Sequence, residues 1–205
     1  MADVATGTIA ETVAAGFAHP VFDAQASFRA VLSALARPGR IVTLDRLPEA
    51  PAALQPAAAA VLLSLADFDT PVWLDAATDT EAVRGFLRFH CGCPLAEVPE
   101  RAAFALIGDA AAMPPLGAFD AGSDDYPDRS ATLVIQVGQL DGEAGWTLSG
   151  SGIDGTARLT AAPLPEAFAA QLRANHARYP LGVDLLFAAG SRLAGLPRST
   201  RIEGD

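Results

Sequence analysis

Three times before residue 108, an apolar pattern of helical period gives way to a short run of strand-forming residues, and that alternation limits the fold more than any other feature. Phe28, Val31, Leu32 and Leu35 recur at i, i+3, i+4 and i+7, the stripe of an amphipathic helix, with Asp23 as its expected N-cap. Arg37-Pro38-Gly39 stops that helix, and Ile41-Val42-Thr43-Leu44 reads as a strand. A second helix is predicted from Pro56, which a first turn tolerates, to residue 66; Val72-Trp73-Leu74 is the strand after it. Thr78-Asp79-Thr80-Glu81 has capping-box spacing and opens a third helix, on which Val83, Phe86, Leu87 and His90 share one face. Residues 103–107 supply a third strand. A chain that alternates in this way buries its strands between helices, so the class is α/β.

The second half reads differently. Residues 108–130 carry Pro114-Pro115, several glycines and Asp124-Asp125, a long acidic loop that is either functional or mobile. Runs at 132–140 and 146–149 flank Asp141-Gly142-Glu143-Ala144-Gly145, a hairpin signal with a longer turn. Residues 165–178, with Phe168 and Leu172, are predicted helical. Runs at 183–188 and 193–196 flank Gly190-Ser191, a second hairpin with glycine first in its turn. The expectation is a mixed sheet covered by helices, in one domain over residues 21–205, after a flexible tail at 1–20.

Composition narrows the function. Of 205 residues 51% are hydrophobic and 19% charged, enough to bury a core without staples. The net charge of −10 repels phosphate backbones, which argues against nucleic-acid binding. All 14 basic residues are arginine. Without lysine there is no Schiff base to pyridoxal phosphate, no P-loop lysine and no Ser-Lys nucleophile pair. Any phosphate contact falls to arginine forks, backbone amides or hydroxyls. No apolar stretch is long enough to span a bilayer, and the first residues, with Asp3 and Glu11, lack a secretory pattern; the expected location is cytoplasmic.

Single motifs are weak. Gly150-Ser151-Gly152-Ile153-Asp154-Gly155 fits G-x-G-x-x-G, but a dinucleotide fingerprint needs a helix to start inside it. Only residues 156–162 follow before Pro163, and they look like strand. What remains is a strand-end glycine turn or a local anion nest. His90-Cys91-Gly92-Cys93 offers three soft ligands without a fourth and with C-x-C rather than C-x₂-C spacing, so no metal is expected. The acidic triple Asp67, Asp69 and Asp75 brackets a strand entry and reads as turn residues or, less simply, as catalytic ones. Asp184 opens a buried strand and needs a partner, for which Arg198 and Arg201 are candidates. No residue is singled out as catalytic.

The order of these stretches is more specific. Asp23-Ala24-Gln25-Ala26-Ser27-Phe28-Arg29, Arg37-Pro38-Gly39, residues 65–74, Leu87-Arg88-Phe89-His90 with Pro94-Leu95, Gly150-Ser151-Gly152-Ile153, residues 179–184 and Leu196-Pro197-Arg198-Ser199-Thr200 resemble, in sequence, the PhnH family. These are the H subunits of the bacterial carbon–phosphorus lyase system. The resemblance spans roughly residues 20–203, leaving the two cysteines and the 108–130 loop unmatched. It implies a three-layer α/β sandwich similar to the large domain of pyridoxal-phosphate transferases, without that cofactor or any other. It also implies a homodimer that joins the G, I and J subunits in a core complex. With G, I and L, such a subunit takes part in making α-D-ribose 1-methylphosphonate 5-triphosphate from ATP and methylphosphonate, releasing adenine. Two roles follow: an accessory subunit that shapes the synthase, or a direct binder of a ligand derived from ATP or a phosphonate. The second would draw on Asp69, Thr70, His90, Gly150, Gly152, Asp184 and Arg198. A stand-alone small-molecule transferase is a third reading.

Overall fold

The computed structural model describes residues 13–203. In chain order the elements are α1 (Pro20–Ala36), β1 (Ile41–Thr43), α2 (Pro56–Leu65), β2 (Val72–Leu74), α3 (Glu81–His90) and β3 (Phe104–Ile107). After three short 3-10 turns come β4 (Thr132–Gln136), β5 (Gln139–Ser149), β6 (Ala157–Ala162), α4 (Phe168–Ala177), β7 (Asp184–Ala189), β8 (Arg192–Leu196) and β9 (Arg201–Glu203). The main sheet has the order β1-β8-β7-β4-β3-β2. β2, β3, β4 and β7 run parallel, while β8 is antiparallel to both β7 and β1. A second sheet has the order β6-β5-β9. The expected α/β class with a mixed sheet and flanking helices is therefore present.

Alternation along the central strands assigns the two faces. Leu106, Val134, Leu186, Ala188 and Leu193 point into a core shared with α1, α2 and α3. Ala105, Ile107, Leu133, Ile135, Leu185 and Phe187 point the other way, toward α4 and the second sheet. Near-continuous apolar strands are what a sheet covered on both faces requires. Helix α2 is buried nearly all round: Ala57, Ala58, Ala59 and Ala60 are inaccessible, and small side chains let it lie tightly against the sheet.

Helix α1 departs from its expected start and its expected face. It begins at Pro20, with His19 as N-cap, because proline is preorganised for a first helical turn. Asp23 caps from inside: its Oδ2 accepts the His19 N–H at 2.8 Å. The buried positions are Asp23, Ser27, Val31 and Ala34, whereas Phe28 and Leu32 are exposed. Gly195 of β8 explains the choice. A Cβ there would lie 2.7 Å from the Ala34 backbone, so helix and strand approach more closely than large side chains would permit.

Two other local expectations are corrected. The N-cap of α3 is Thr80, whose hydroxyl accepts the Val83 N–H at 3.2 Å, and not Thr78. The stretch 141–145 forms no hairpin turn; it lies inside β5, which pairs with β6 and shifts register between Asp141 and Trp146. There Gly145 adopts φ +89°, so the turn-like residues serve an irregularity within a strand. Residues 108–130 form the expected long loop, interrupted by three short 3-10 turns, and it packs on the core: Met113, Leu116 and Phe119 are buried, and the Phe119 ring packs edge-on against Trp73. The Gly190-Ser191 hairpin between β7 and β8 forms as expected, with Gly190 at φ +61°.

Of the expected N-terminal tail, residues 1–12 lie outside the described residues. Gly16 exchanges two backbone hydrogen bonds with Glu49 at 3.0 and 2.9 Å, and Phe17 is buried. No helix among the described residues is long and apolar enough to cross a membrane.

Candidate functional site

Open parallel sheets place ligands beyond the carboxyl ends of their strands. In this protein that edge is closed by its own side chains. After β2, Asp75 is buried and accepts four hydrogen bonds: Oδ2 from the Gly108 and Asp109 N–H groups at 2.9 and 2.8 Å, Oδ1 from the Thr78 N–H and hydroxyl at 2.9 and 2.8 Å. At the end of β4, Gln136 accepts the Gln55 N–H and donates to the Ala53 carbonyl at 3.0 Å. Gln55 in turn donates to Val137 and accepts the Gly190 N–H at 2.7 Å. These side chains tie successive strand ends and the start of α2 together, and their own carboxylate and amide groups are taken up in doing so. Asp75 is thus a structural acceptor, which separates it from the catalytic reading of the acidic triple. Sequence reasoning missed both glutamines, because nothing local marks a residue whose partners are 81 or 135 positions away.

The opposite, amino edge carries sequence candidates in two places, far apart. Asp67 Oδ1 accepts the Asp69 N–H at 3.0 Å and the Thr70 hydroxyl at 2.6 Å, closing a turn before β2. The Thr70 hydroxyl, with the Asp69 N–H, holds the Asp67 carboxyl below the ordinary carboxylate range. Asp184 starts β7. Strands β3 and β4 stand between, so three strand spacings, about 14 Å, separate the two places.

Asp184 and Arg198 do meet. Arg198 Nη2 lies 2.6 Å from Asp184 Oδ2, and its Nε 3.1 Å from Oδ1, a fork-to-fork pair. The Arg198 backbone N–H also donates to Oδ1 at 2.9 Å, and Nη1 donates to the Pro127 carbonyl at 2.7 Å. Of the two arginines considered, Arg198 is the partner. Arg201 instead donates through Nε to His176 Nε2 at 3.3 Å, while the His176 Nδ1–H donates to the Arg198 carbonyl at 3.1 Å. These partners fix His176 as the Nδ1–H tautomer.

His90 is a brace for the chain entering α1. Its Nε2–H donates to the Ala14 carbonyl at 2.9 Å, and its ring packs on Phe86 and Phe89. A Cβ on Gly16 would lie 2.7 Å from that ring. Cys91 and Cys93 are both free thiols; hydrogen bonding to Cys93, then burial, pushes the Cys91 thiol up. Among the described residues, no group of three or more His, Cys, Asp or Glu side chains is placed to hold a metal ion.

The glycine turn is where separated stretches converge. Gly152 has φ +83°, and a Cβ there would lie 2.1 Å from the Ala36 carbonyl oxygen. Gly39, in the turn after α1, would place a Cβ 2.7 Å from that of Ala157. Gly150 lies against Ser199 and Thr200, next to Arg198. The two turns are more than a hundred positions apart in sequence and pack backbone to backbone in the structure.

Family comparison gives this convergence its context. The family model for bacterial phosphonate metabolism protein (PhnH) matches residues 15–203. The chain belongs to the PhnH family. It is 38% identical over 189 residues to the α-D-ribose 1-methylphosphonate 5-triphosphate synthase subunit PhnH of Rhizobium meliloti (strain 1021), covering 92% of this chain and 94% of the relative. It is 33% identical over 81 residues to the putative C-P lyase subunit protein HtxG of Stutzerimonas stutzeri, or 40% of this chain and 42% of that protein. Arg37-Pro38-Gly39 and Gly150-Ser151-Gly152-Ile153, two of the stretches that carry the PhnH resemblance, are the ones the fold brings into contact. Asp184 and Arg198, from two more, form the ion pair. Asp69, Thr70 and His90 stay apart from both.

Proposed function

We propose that this chain is the H-type subunit of a carbon–phosphorus lyase system and acts in the synthesis of α-D-ribose 1-methylphosphonate 5-triphosphate from ATP and methylphosphonate. The observation that carries the reading is the end-to-end match to a relative named as a subunit of that synthase. The chain's contribution is assembly: it pairs with itself and joins the G, I and J subunits in the cytoplasm. Its sandwich is similar to the large domain of pyridoxal-phosphate transferases, but the sequence holds no lysine for that cofactor.

Helix α1 supports an assembly role. Val21, Phe28 and Leu32, spaced i, i+7 and i+11, fall on one helix face and are 79%, 42% and 50% exposed. Apolar side chains aligned on one face of an acidic protein suit a surface that another subunit covers. Among the sequence candidates, Asp184, Arg198 and His90 hold segments in place, and Asp69 and Thr70 shape a turn.

Native mass spectrometry after co-expression with G, I and J tests the proposal. The expected result is one complex containing this chain, and its loss on Leu32→Glu while the isolated variant stays folded. A monomer that never co-purifies with those subunits contradicts it.

A further inference from the structure

The contact between the two glycine turns leaves an open groove of about 540 Å³ beside it, within the size range of small-molecule sites. Arg37 and Arg40 line it from the turn after α1, and Arg158 from the start of β6; Glu143 and Asp154 stand on the same lining. Three of 14 arginines thus converge on one place in a chain of net charge −10. Among the described residues, the Arg37 guanidinium donates only to the neutral Ser33 hydroxyl, at 3.1 Å. Among the described residues, the guanidinium groups of Arg40 and Arg158 have neither an ion pair nor a hydrogen bond. The carboxylates nearby have not been used to neutralise them, unlike Arg198 on Asp184 or Arg46 on Asp23.

The backbone adds donors of the same sense. Gly150, Gly152 and Gly155 all have positive φ, and the turn between them is held by the Ile153 N–H on the Gly150 carbonyl at 3.2 Å. Among the described residues, the N–H groups of Asp154 and Gly155 donate to no protein acceptor. Of these two free amides, that of Asp154 belongs to the groove lining with the three arginines, and free amides beside guanidinium forks are the chemistry that holds phosphoryl oxygens when lysine is absent.

We propose that this groove binds a multiply charged phosphoryl group, a triphosphate or a phosphonate ester bearing one, with Arg40 and Arg158 as the principal forks. The inference rests on the PhnH-type reading above but locates a ligand on this subunit, away from the sheet edge and from Asp69, Thr70 and His90. Glu143 and Asp154 limit the affinity of the isolated chain, because a like charge beside an anion repels it.

Isothermal titration of the full chain with inorganic triphosphate at low ionic strength tests the site. The expected result is saturable binding that weakens with added salt, falls about tenfold or more in Arg40→Gln/Arg158→Gln, and tightens about threefold in Glu143→Gln. Both arginines are exposed and unpartnered, so the double variant folds, which circular dichroism checks, and it still co-purifies with the partner subunits. No binding of triphosphate at millimolar concentration, or binding unchanged in the double variant, overturns the proposal. Loss of partner subunits from the double variant without triphosphate binding to the wild type overturns it too, and reassigns the groove to a protein interface.

Discussion

Arg198 grips both carboxylate oxygens of Asp184 from the side, at 2.6 and 3.1 Å, while its own backbone N–H completes a third bond to the same group at 2.9 Å. The pair ties the segment after β8 to the first residue of β7, and through the Pro127 carbonyl to the end of the 108–130 segment. The side chains are 13% and 23% exposed, so the charges are only partly screened.

Removing the arginine leaves the carboxylate short of its partner and Pro127 without a donor. Arg198→Ala is expected to cost about 2 kcal/mol, somewhat below the range for a fully buried pair. Arg198→Lys restores only part, since an ammonium cannot match both oxygens. The midpoint of urea unfolding at constant m measures both. An unchanged midpoint would mean that Arg198 serves a ligand and not the fold.

The buried acceptor at the carboxyl edge makes a sharper contrast. Asp75→Asn turns an NH₂ toward N–H donors that need an acceptor, and is expected to cost about 3 kcal/mol. Thr80→Ala removes one N-cap bond from α3 and is expected to cost about 1 kcal/mol. Equal effects of the two substitutions in thermal or urea unfolding would contradict the role given to Asp75.

The glycines of the apparent nucleotide motif separate by what surrounds them. Gly152→Ala meets the Ala36 carbonyl at 2.1 Å and also an unfavourable φ, so a loss of more than about 2 kcal/mol is expected. Gly155→Ala has the φ cost but open space, and loses about 1 kcal/mol. If the two lose the same stability, turn packing is not what Gly152 provides.

Acid dependence follows from Asp23. The Arg46 guanidinium at 2.8 Å, then the His19 N–H, lowers its carboxyl below the ordinary value of 3.8. Between the lowered value and 3.8 the unfolded chain binds more protons than the folded one. The stabilisation is therefore complete above the ordinary value and is lost as pH falls through the lowered one. Unfolding midpoints at pH 3 and pH 6 are expected to differ less in Asp23→Asn than in the wild type. A larger difference in the variant would refute the assignment.

Much of the fold is legible in sequence because its signals are local. Helical stripes, Arg37-Pro38-Gly39 and the Gly190-Ser191 turn all act within a few residues. The buried face of α1 was not legible: Gly195, far along the chain, decides that Ser27 and Ala34 go inward and Phe28 and Leu32 outward. The 141–145 stretch misled for the converse reason, since turn-forming residues also suit an irregular strand. At the candidate site, family resemblance marked the two glycine stretches, but only the fold shows that Gly152 needs its missing Cβ for Ala36. The arginine groove had no sequence signal, because Arg40 comes from the turn after α1 and Arg158 from the start of β6, which only tertiary packing joins.

The most direct test of the PhnH-type account is adenine release from ATP and methylphosphonate by reconstituted G, I and L subunits, with and without this chain. The account predicts release only when the chain is present, and none from the chain alone. Full activity of G, I and L without it, or turnover by the isolated chain, would contradict the account.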